Sequence, residues 1–271
     1  MGFFGFPFFG ESKREEVDIC AIASGSNGNC YYIGSSDSAV LIDAGISQRA
    51  LLFRMAEKNL NPEKIKAIFI SHEHRDHING ARVISNKNNI PIYMTNQTWK
   101  KSLRLYRPKN FIPFKPGDII TIEDFNVYTF LKKHDAAEPC SFRVKHKDIN
   151  IGVFTDLGTA CANVKKHLRK CQALFLECNY DEDLLWKGRY PYFLKSRIDS
   201  ETGHLSNIQA MNLIKEHRHP NLKLLFLSHL SDENNSPEIA MAAFDKFKNQ
   251  FEIVLTDRNV SGEIFTVTNE K

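Results

Sequence analysis

The sequence predicts an α/β fold in layers, and two observations carry that expectation. Short β-branched apolar runs alternate along the whole chain with stretches whose apolar residues recur at helical spacing. These strands also end repeatedly in a histidine or an aspartate, at Asp43, His72 and His74, His134, Asp156 and His229, so one sheet edge should gather them into a single site. The 271 residues suffice for a substantial core. No compositional shift marks an internal boundary; residues 1–16 read as an N-terminal extension and 17–271 as one domain.

Residues 1–10 are apolar and Phe-rich, but too short for a membrane span and without the basic start of a signal peptide. They read as an extension that docks on the body or frays, or serves as a partner-binding tail. No other segment approaches spanning length, so the expectation is a soluble, cytoplasmic protein with no membrane partner. Strands at 17–23 and 30–33 flank Ser24-Gly25-Ser26-Asn27-Gly28-Asn29, whose glycines and asparagines suit a tight turn. The loop is either a plain hairpin turn or a cradle in which backbone N–H groups and the amides of Asn27 and Asn29 hold phosphate oxygens. The strand at 39–45 carries Asp43 at its tip, placed to orient a metal-ligating histidine. Leu51, Leu52, Met55 and Leu60 give helical spacing over 47–60, with Asn61-Pro62 as the stop.

The strand at 65–70 delivers Ser71-His72-Glu73-His74-Arg75-Asp76-His77. Imidazole and carboxylate suit zinc, manganese or iron, and crowding them at a strand end costs free energy unless a cation offsets it. A closed structural zinc is disfavoured, because such sites lean on cysteine. The six cysteines show no CxxC pair and read as free thiols of a reducing compartment. A helix is expected at 78–85, directly after His77, then a strand at 90–95. Residues 96–109 interleave Trp99 and Tyr106 with five Lys and Arg side chains, as a solvated helix face or a nucleic-acid contact. Strands at 118–122 and 125–131 lead to His134, and strands at 140–144 and 149–155 to Asp156. Another strand ends in Glu177. The stretch 186–197 is aromatic and basic, with Lys187, Arg189 and Arg197. Gly203-His204-Leu205-Ser206-Asn207 opens a helix to about 217, and the strand at 222–227 precedes His229. Ser236-Pro237 starts a helix expected to reach about 251, and strands at 251–255 and 264–267 close the sheet.

His72-x-His74-x-Asp76-His77 resembles the HxHxDH signature of the metallo-β-lactamase-fold hydrolases, and the resemblance extends over the chain from Val17 on. It implies an αββα sandwich of two mixed sheets with helices on the outer faces. It also implies two divalent metal ions (zinc, manganese or iron), one held by His72, His74 and His134, the other by Asp76, His77 and His229, with Asp156 bridging and Asp76 counted among the catalytic groups. Glu177 and His204 resemble the acid pair of ribonuclease Z-type phosphodiesterases, although the first motif here lacks its His and the second reads His-Leu-Ser. The pair implies proton donation to a leaving oxygen by His204, oriented by Glu177. Together with the 24–29 loop and the segments around His134, Asp156 and Glu177, these motifs resemble the bacterial WalJ (YycJ) group of double-strand DNA 5′-to-3′ exonucleases. That implies a metal-dependent nuclease whose partner is nucleic acid, specifically DNA, with Asn27, Asn29, Lys187, Arg189 and Arg197 as substrate contacts. The net charge of +4 and pI near 8.6 permit an anionic substrate without demanding one. The rival is a thioesterase or lactonase of the same fold. Such enzymes carry a GHTPG-like segment around their third metal histidine, where this chain has Lys133-His134-Asp135-Ala136, and generally lack counterparts of Glu177 and His204.

Overall fold

The computed structural model describes residues 15–269, so the Phe-rich stretch at 1–10 lies outside the described residues. The first half of the chain runs β1 (Glu16–Ala23), β2 (Cys30–Gly34), β3 (Ala39–Ile42), α1 (Gln48–Glu57), β4 (Ile65–Phe69), α2 (Arg75–Ile78), α3 (Ala81–Asn88), β5 (Ile92–Thr95), α4 (Asn96–Lys101) and β6 (Phe111–Phe114). The second runs β7 (Ile119–Ile122), β8 (Phe125–Leu131), β9 (Cys140–His146), β10 (Ile149–Phe154), α5 (Ala162–Leu168), β11 (Ala173–Glu177), α6 (Glu182–Lys187), α7 (Tyr192–Ile198), α8 (Asn207–His217), β12 (Leu224–Ser228), α9 (Pro237–Ala243), β13 (Glu252–Leu255) and β14 (Phe265–Thr268).

Among the described residues these strands form two seven-stranded sheets, ordered β14-β1-β2-β3-β4-β5-β6 and β13-β12-β11-β10-β9-β8-β7. Each is mixed: β3 to β6 and β10 to β13 run parallel, while β1 to β3 and β7 to β10 are antiparallel. Strands covered on both faces read as continuous apolar runs, which is why β3, β10, β11 and β12 are buried at every residue. The inner faces meet in one apolar layer, where Phe69 lies edge-on to Phe142 (centroids 5.6 Å apart) and Tyr31 packs on Phe175 (4.9 Å). On the outer faces α1 and α3 cover the first sheet through Leu51, Met55 and Ile84, and α5, α8 and α9 cover the second through Leu168, Leu213, Ile214 and Ala240. This is the αββα sandwich.

The parallel strands matter for function because their C-terminal ends share one edge of each sheet. That edge carries every ligand tip, and the sheets are tied there by the His229 N–H, which donates to Ser24 Oγ at 2.9 Å.

Three elements differ from the sequence expectation. The helix after the histidine cluster begins at Arg75, not after His77, so Asp76 and His77 sit on the short α2; the chain turns at Asn79 and Gly80 before α3 starts. The helix from Pro237 stops at Ala243 instead of reaching 251. There Phe244 leaves helical geometry, and Phe244, Phe247 and Phe251 are buried through a 3₁₀ turn, since apolar residues spaced three or four apart suit either winding. The α-helix of the 96–109 stretch ends at Lys101, where the Ser102 hydroxyl donates to the Thr98 carbonyl (2.6 Å) and the backbone becomes extended before a 3₁₀ turn over Arg104–Tyr106. β6 and α5 to α7, by contrast, are too short for a periodic signal.

Candidate metal centre

Three strand tips adopt left-handed backbone: Asp43 (φ 62°), Asp156 (53°) and His229 (58°). Such conformations are costly outside glycine, and they persist where the surroundings over-determine them, often at functional sites. The turns aim side chains from both sheets at one volume. His72 Nε2 lies 3.0 Å from His74 Nδ1, which lies 3.3 Å from His134 Nε2. Two nitrogens at about 2.1 Å from a tetrahedral zinc are separated by about 3.4 Å, so this spacing suits three ligands of one ion. A second set gathers beside it: His77 Nε2 is 3.2 Å from Asp76 Oδ2 and 3.1 Å from Asp156 Oδ2, and His229 Nε2 is 3.6 Å from Asp76 Oδ2. Asp156 stands between the sets, its other oxygen 3.8 Å from His134 Nε2. Asp156 Oδ2 and His229 Nε2 are buried with no hydrogen bond. Orphaned polar atoms of this kind need an explanation, and a cation supplies it. The donor set is imidazole and carboxylate, fitting a divalent metal ion.

The far sides of the His72, His77, His134 and His229 rings are also held, which selects the nitrogen turned inward. His77 Nδ1 bonds Asp43 Oδ2 (2.7 Å), whose other oxygen takes the Ser71 N–H (2.8 Å). Ser71 Oγ meets His72 Nδ1 (2.8 Å), the Gly203 carbonyl accepts from His134 Nδ1 (3.1 Å), and Glu177 Oε1 accepts from His229 Nδ1 (3.0 Å). Glu177 Oε1 also accepts from His204 Nδ1 (2.8 Å), while its Oε2 takes the N–H groups of Leu157 (2.6 Å) and Leu205 (3.1 Å). One buried carboxylate thus orients both a cluster histidine and His204, whose side chain is 20% exposed at the cleft. Two glycines make the approach possible: a Cβ on Gly45 would lie 1.7 Å from the Asp76 carbonyl oxygen, and one on Gly203 2.1 Å from that of Ile198.

Electrostatics follow from burial. Desolvation keeps His72 well below its ordinary pKa and His134 down at about 4, so both are neutral and ready to ligate. Burial also opposes charge on His77 and His229, but there Asp156, with Asp76 and Asp43 or Asp76 and Glu177, outweighs it. His77 is raised well above the usual range and His229 to about 10. Glu177, despite burial, is pulled down to about 2, chiefly by His204. The carboxylates thus demand positive charge, which protons supply when a cation does not.

Residues 38–229 match the model of the beta-lactamase superfamily domain. A Bacillus anthracis protein named exodeoxyribonuclease YycJ is 36% identical over 230 residues, covering 83% of this chain and 86% of that one. The chain belongs to the beta-lactamase superfamily. Exodeoxyribonuclease WalJ of Streptococcus pneumoniae is 34% identical over 224 residues, 81% of this chain and 83% of its own. Among solved structures, the metallo-β-lactamase fold protein YhfI of Bacillus subtilis superposes with a TM-score of 0.71 at 18% identity, over 93% of this chain and 100% of that one. As a member of this superfamily, with its histidines and aspartates clustered at the sheet edge, the chain is a metal-dependent hydrolase.

Within this superfamily fold, the seven expected ligands and Asp43, Glu177 and His204 all come together. The expected substrate contacts separate. Asn29 is fully buried, and its Nδ2 is spent on the Gly25 carbonyl (3.1 Å), Asp76 Oδ2 (3.2 Å) and His77 Nε2 (3.1 Å), so it lies against the cluster side chains and is not free for a substrate phosphate. Asn27 is exposed and shares a cavity of about 320 Å³ with Arg75, Asp76 and Asn79. Arg197 pairs with Asp135 (2.6 Å), next to His134, whereas exposed Lys187 pairs with Asp183 on its own helix (3.0 Å) and Arg189 is exposed. Trp99 is sandwiched between Phe111 (5.5 Å) and the Arg107 guanidinium (4.3 Å). Sequence reasoning missed Lys132 and Asn179. Buried Lys132 donates to the Thr155 carbonyl (2.8 Å) 4.0 Å from Asp156, and Asn179 donates to the His229 carbonyl (2.8 Å). The two lysines are adjacent in sequence, and only the inward phase of β8 separates buried Lys132 from Lys133.

Proposed function

We propose that this protein is a phosphodiesterase that degrades DNA exonucleolytically from the 5′ end, using two divalent cations (zinc, manganese or iron), in the cytoplasm. The carrying observation is the His204–Glu177 contact of 2.8 Å beside a complete set of His and Asp ligands. The two relatives named exodeoxyribonucleases, alike over more than four-fifths of the chain, support the substrate class, and six free cysteines support a reducing compartment. No helix among the described residues is long and apolar enough to cross a membrane.

His72, His74 and His134 would hold one cation, Asp76, His77 and His229 the other, and Asp156 both. Bound there, the pair would activate the attacking water and neutralise the attacked phosphate. The residues then divide the remaining work. Glu177 keeps the His204 imidazole oriented through the 2.8 Å Nδ1 contact, and His204 delivers a proton to the departing 3′ oxygen. Asp43, Ser71 and the Gly203 carbonyl hold ligand tautomers. The exposed face of α6 and α7, with Lys187, Arg189, Arg197, Trp186 and Tyr192, serves as the strand-binding flank through phosphate contacts and base stacking. Asn27 would meet a phosphate from the opposite rim.

The deciding experiment incubates metal-loaded protein with end-labelled single- and double-stranded DNA and RNA and maps the products. Mononucleotides released progressively from 5′ ends of DNA are expected. Internal cuts, or cleavage of thioesters in preference to phosphodiesters, would refute the reading.

A further inference from the structure

The outer face of the second sheet carries a buried charge that the hydrolytic site does not use. Arg143 on β9 is only 3% exposed, yet among the described residues no carboxylate pairs with it. Buried guanidinium groups ordinarily face a carboxylate, because the desolvation cost otherwise goes uncompensated. Here the plane lies over the Tyr128 ring (3.7 Å to the centroid), Nη1 donates to Asn150 Oδ1, and Nε donates to His167 Nδ1 at 3.3 Å. These contacts fix the group without neutralising it.

Beside Arg143 opens a cavity of about 400 Å³, with Lys166, Lys170 and Asn163 also on its wall. His167 stacks on Phe130 (centroids 4.0 Å apart, planes 8° off parallel). Because its Nδ1 accepts from Arg143, its proton sits on Nε2, which adds a further donor. Burial and the neighbouring cations hold this imidazole at about 4, so it stays neutral near pH 7. Lysines near the end of α5 are expected on helix-dipole grounds alone. That argument does not reach Arg143, which lies on a strand and is 3% exposed, lining the cavity floor. The volume falls within the roughly 300–1,000 Å³ of small-molecule sites.

We propose that this cavity is a second, non-catalytic site that binds a phosphoryl group, with Arg143 at its base and Lys166 and Lys170 at its rim. The phosphoryl group belongs either to a free nucleoside monophosphate or to a nucleic-acid strand. The cavity is linked to the metal centre along the chain: Leu131 on its wall, whose carbonyl accepts from Asn163 Nδ2 (3.2 Å), precedes Lys132 and His134. The inference stands independently of the nuclease reading.

The test is calorimetric titration of the metal-loaded full chain with inorganic phosphate, dAMP and a short single-stranded oligonucleotide. The comparison is the Lys166→Glu/Lys170→Glu variant, whose positions are exposed and outside the hydrolytic site. The variant should bind dAMP roughly tenfold or more weakly, as loss of charge-assisted contacts dictates, with hydrolysis of bis(p-nitrophenyl) phosphate unchanged. Arg143→Met should weaken binding likewise, its fold checked by circular dichroism. If the oligonucleotide displaces dAMP from this site the source is a strand; if it does not, a free nucleotide. Equal affinity of wild type and the lysine variant, or a binding signal that disappears entirely in His74→Ala, would overturn the proposal. Neither result depends on whether DNA is the hydrolysed substrate.

Discussion

At the scale of residues, Glu177 is the group whose role the structure changes most. A carboxylate expected to serve His204 alone also fixes His229. His204→Ala should therefore keep its metal, measured by elemental analysis, and lose turnover on DNA by about a hundred- to ten-thousand-fold. A p-nitrophenyl ester, whose leaving group needs no proton, should be far less sensitive. Glu177→Gln should lose metal as well as turnover, because His229 is freed to turn. Full metal occupancy in Glu177→Gln would show that Asn179 and the backbone hold His229 unaided.

At the scale of elements, the loop at 44–46 sets how closely α2 approaches β3. Gly45→Ala would force its Cβ into the Asp76 carbonyl. The variant should lose occupancy at the Asp76, His77 and His229 set while His72, His74 and His134 still bind, giving about half the metal stoichiometry of wild type. The same scale separates the two aromatic-basic stretches. α4 spends Trp99 on packing, whereas α6 and α7 leave Trp186, Tyr192 and Phe193 exposed. Charge reversal at Lys187, Arg189 and Arg197 should weaken DNA binding and flatten the salt dependence measured by titration at several ionic strengths, and Trp99→Ala should lower thermal stability without changing that slope.

At the scale of the molecule, the metal centre joins the two sheets, so its charge state is linked to folding. Without metal, His229 is raised to about 10 and His77 is raised above its ordinary value. A raised histidine stabilises the fold fully below its unfolded pKa, about 6.5, and this contribution is lost as pH rises through the folded value. Metal-free protein should therefore melt at progressively lower temperature from near neutral pH toward pH 10. Metal-loaded protein should melt higher throughout and show a shallower decline, because the cation binds only the folded state. Parallel curves with and without metal would break the linkage.

The histidine and aspartate tips that cluster, the layered class and most strands were legible in the sequence because a strand's apolar run and a polar tip are local features that do not depend on what packs beside them. Spacing alone located the His72, His74, Asp76 and His77 cluster, and the start of α8 was legible at Ser206-Asn207, where the structure adds a reciprocal Ser206–Gln209 cap. What tertiary structure decided was direction and company. Whether Asn29 is free or bonded to Asp76 and His77, whether Lys132 or Lys133 points inward, and which of two aromatic stretches stays exposed all depend on neighbours from distant strands. Arg143 shows the same limit: in sequence it is one basic residue of a strand, and only the facing helix, with no carboxylate pairing it among the described residues, reveals an uncompensated charge. Local propensity specifies which groups a segment carries, whereas desolvation and pairing arise only when segments remote in the chain are packed together.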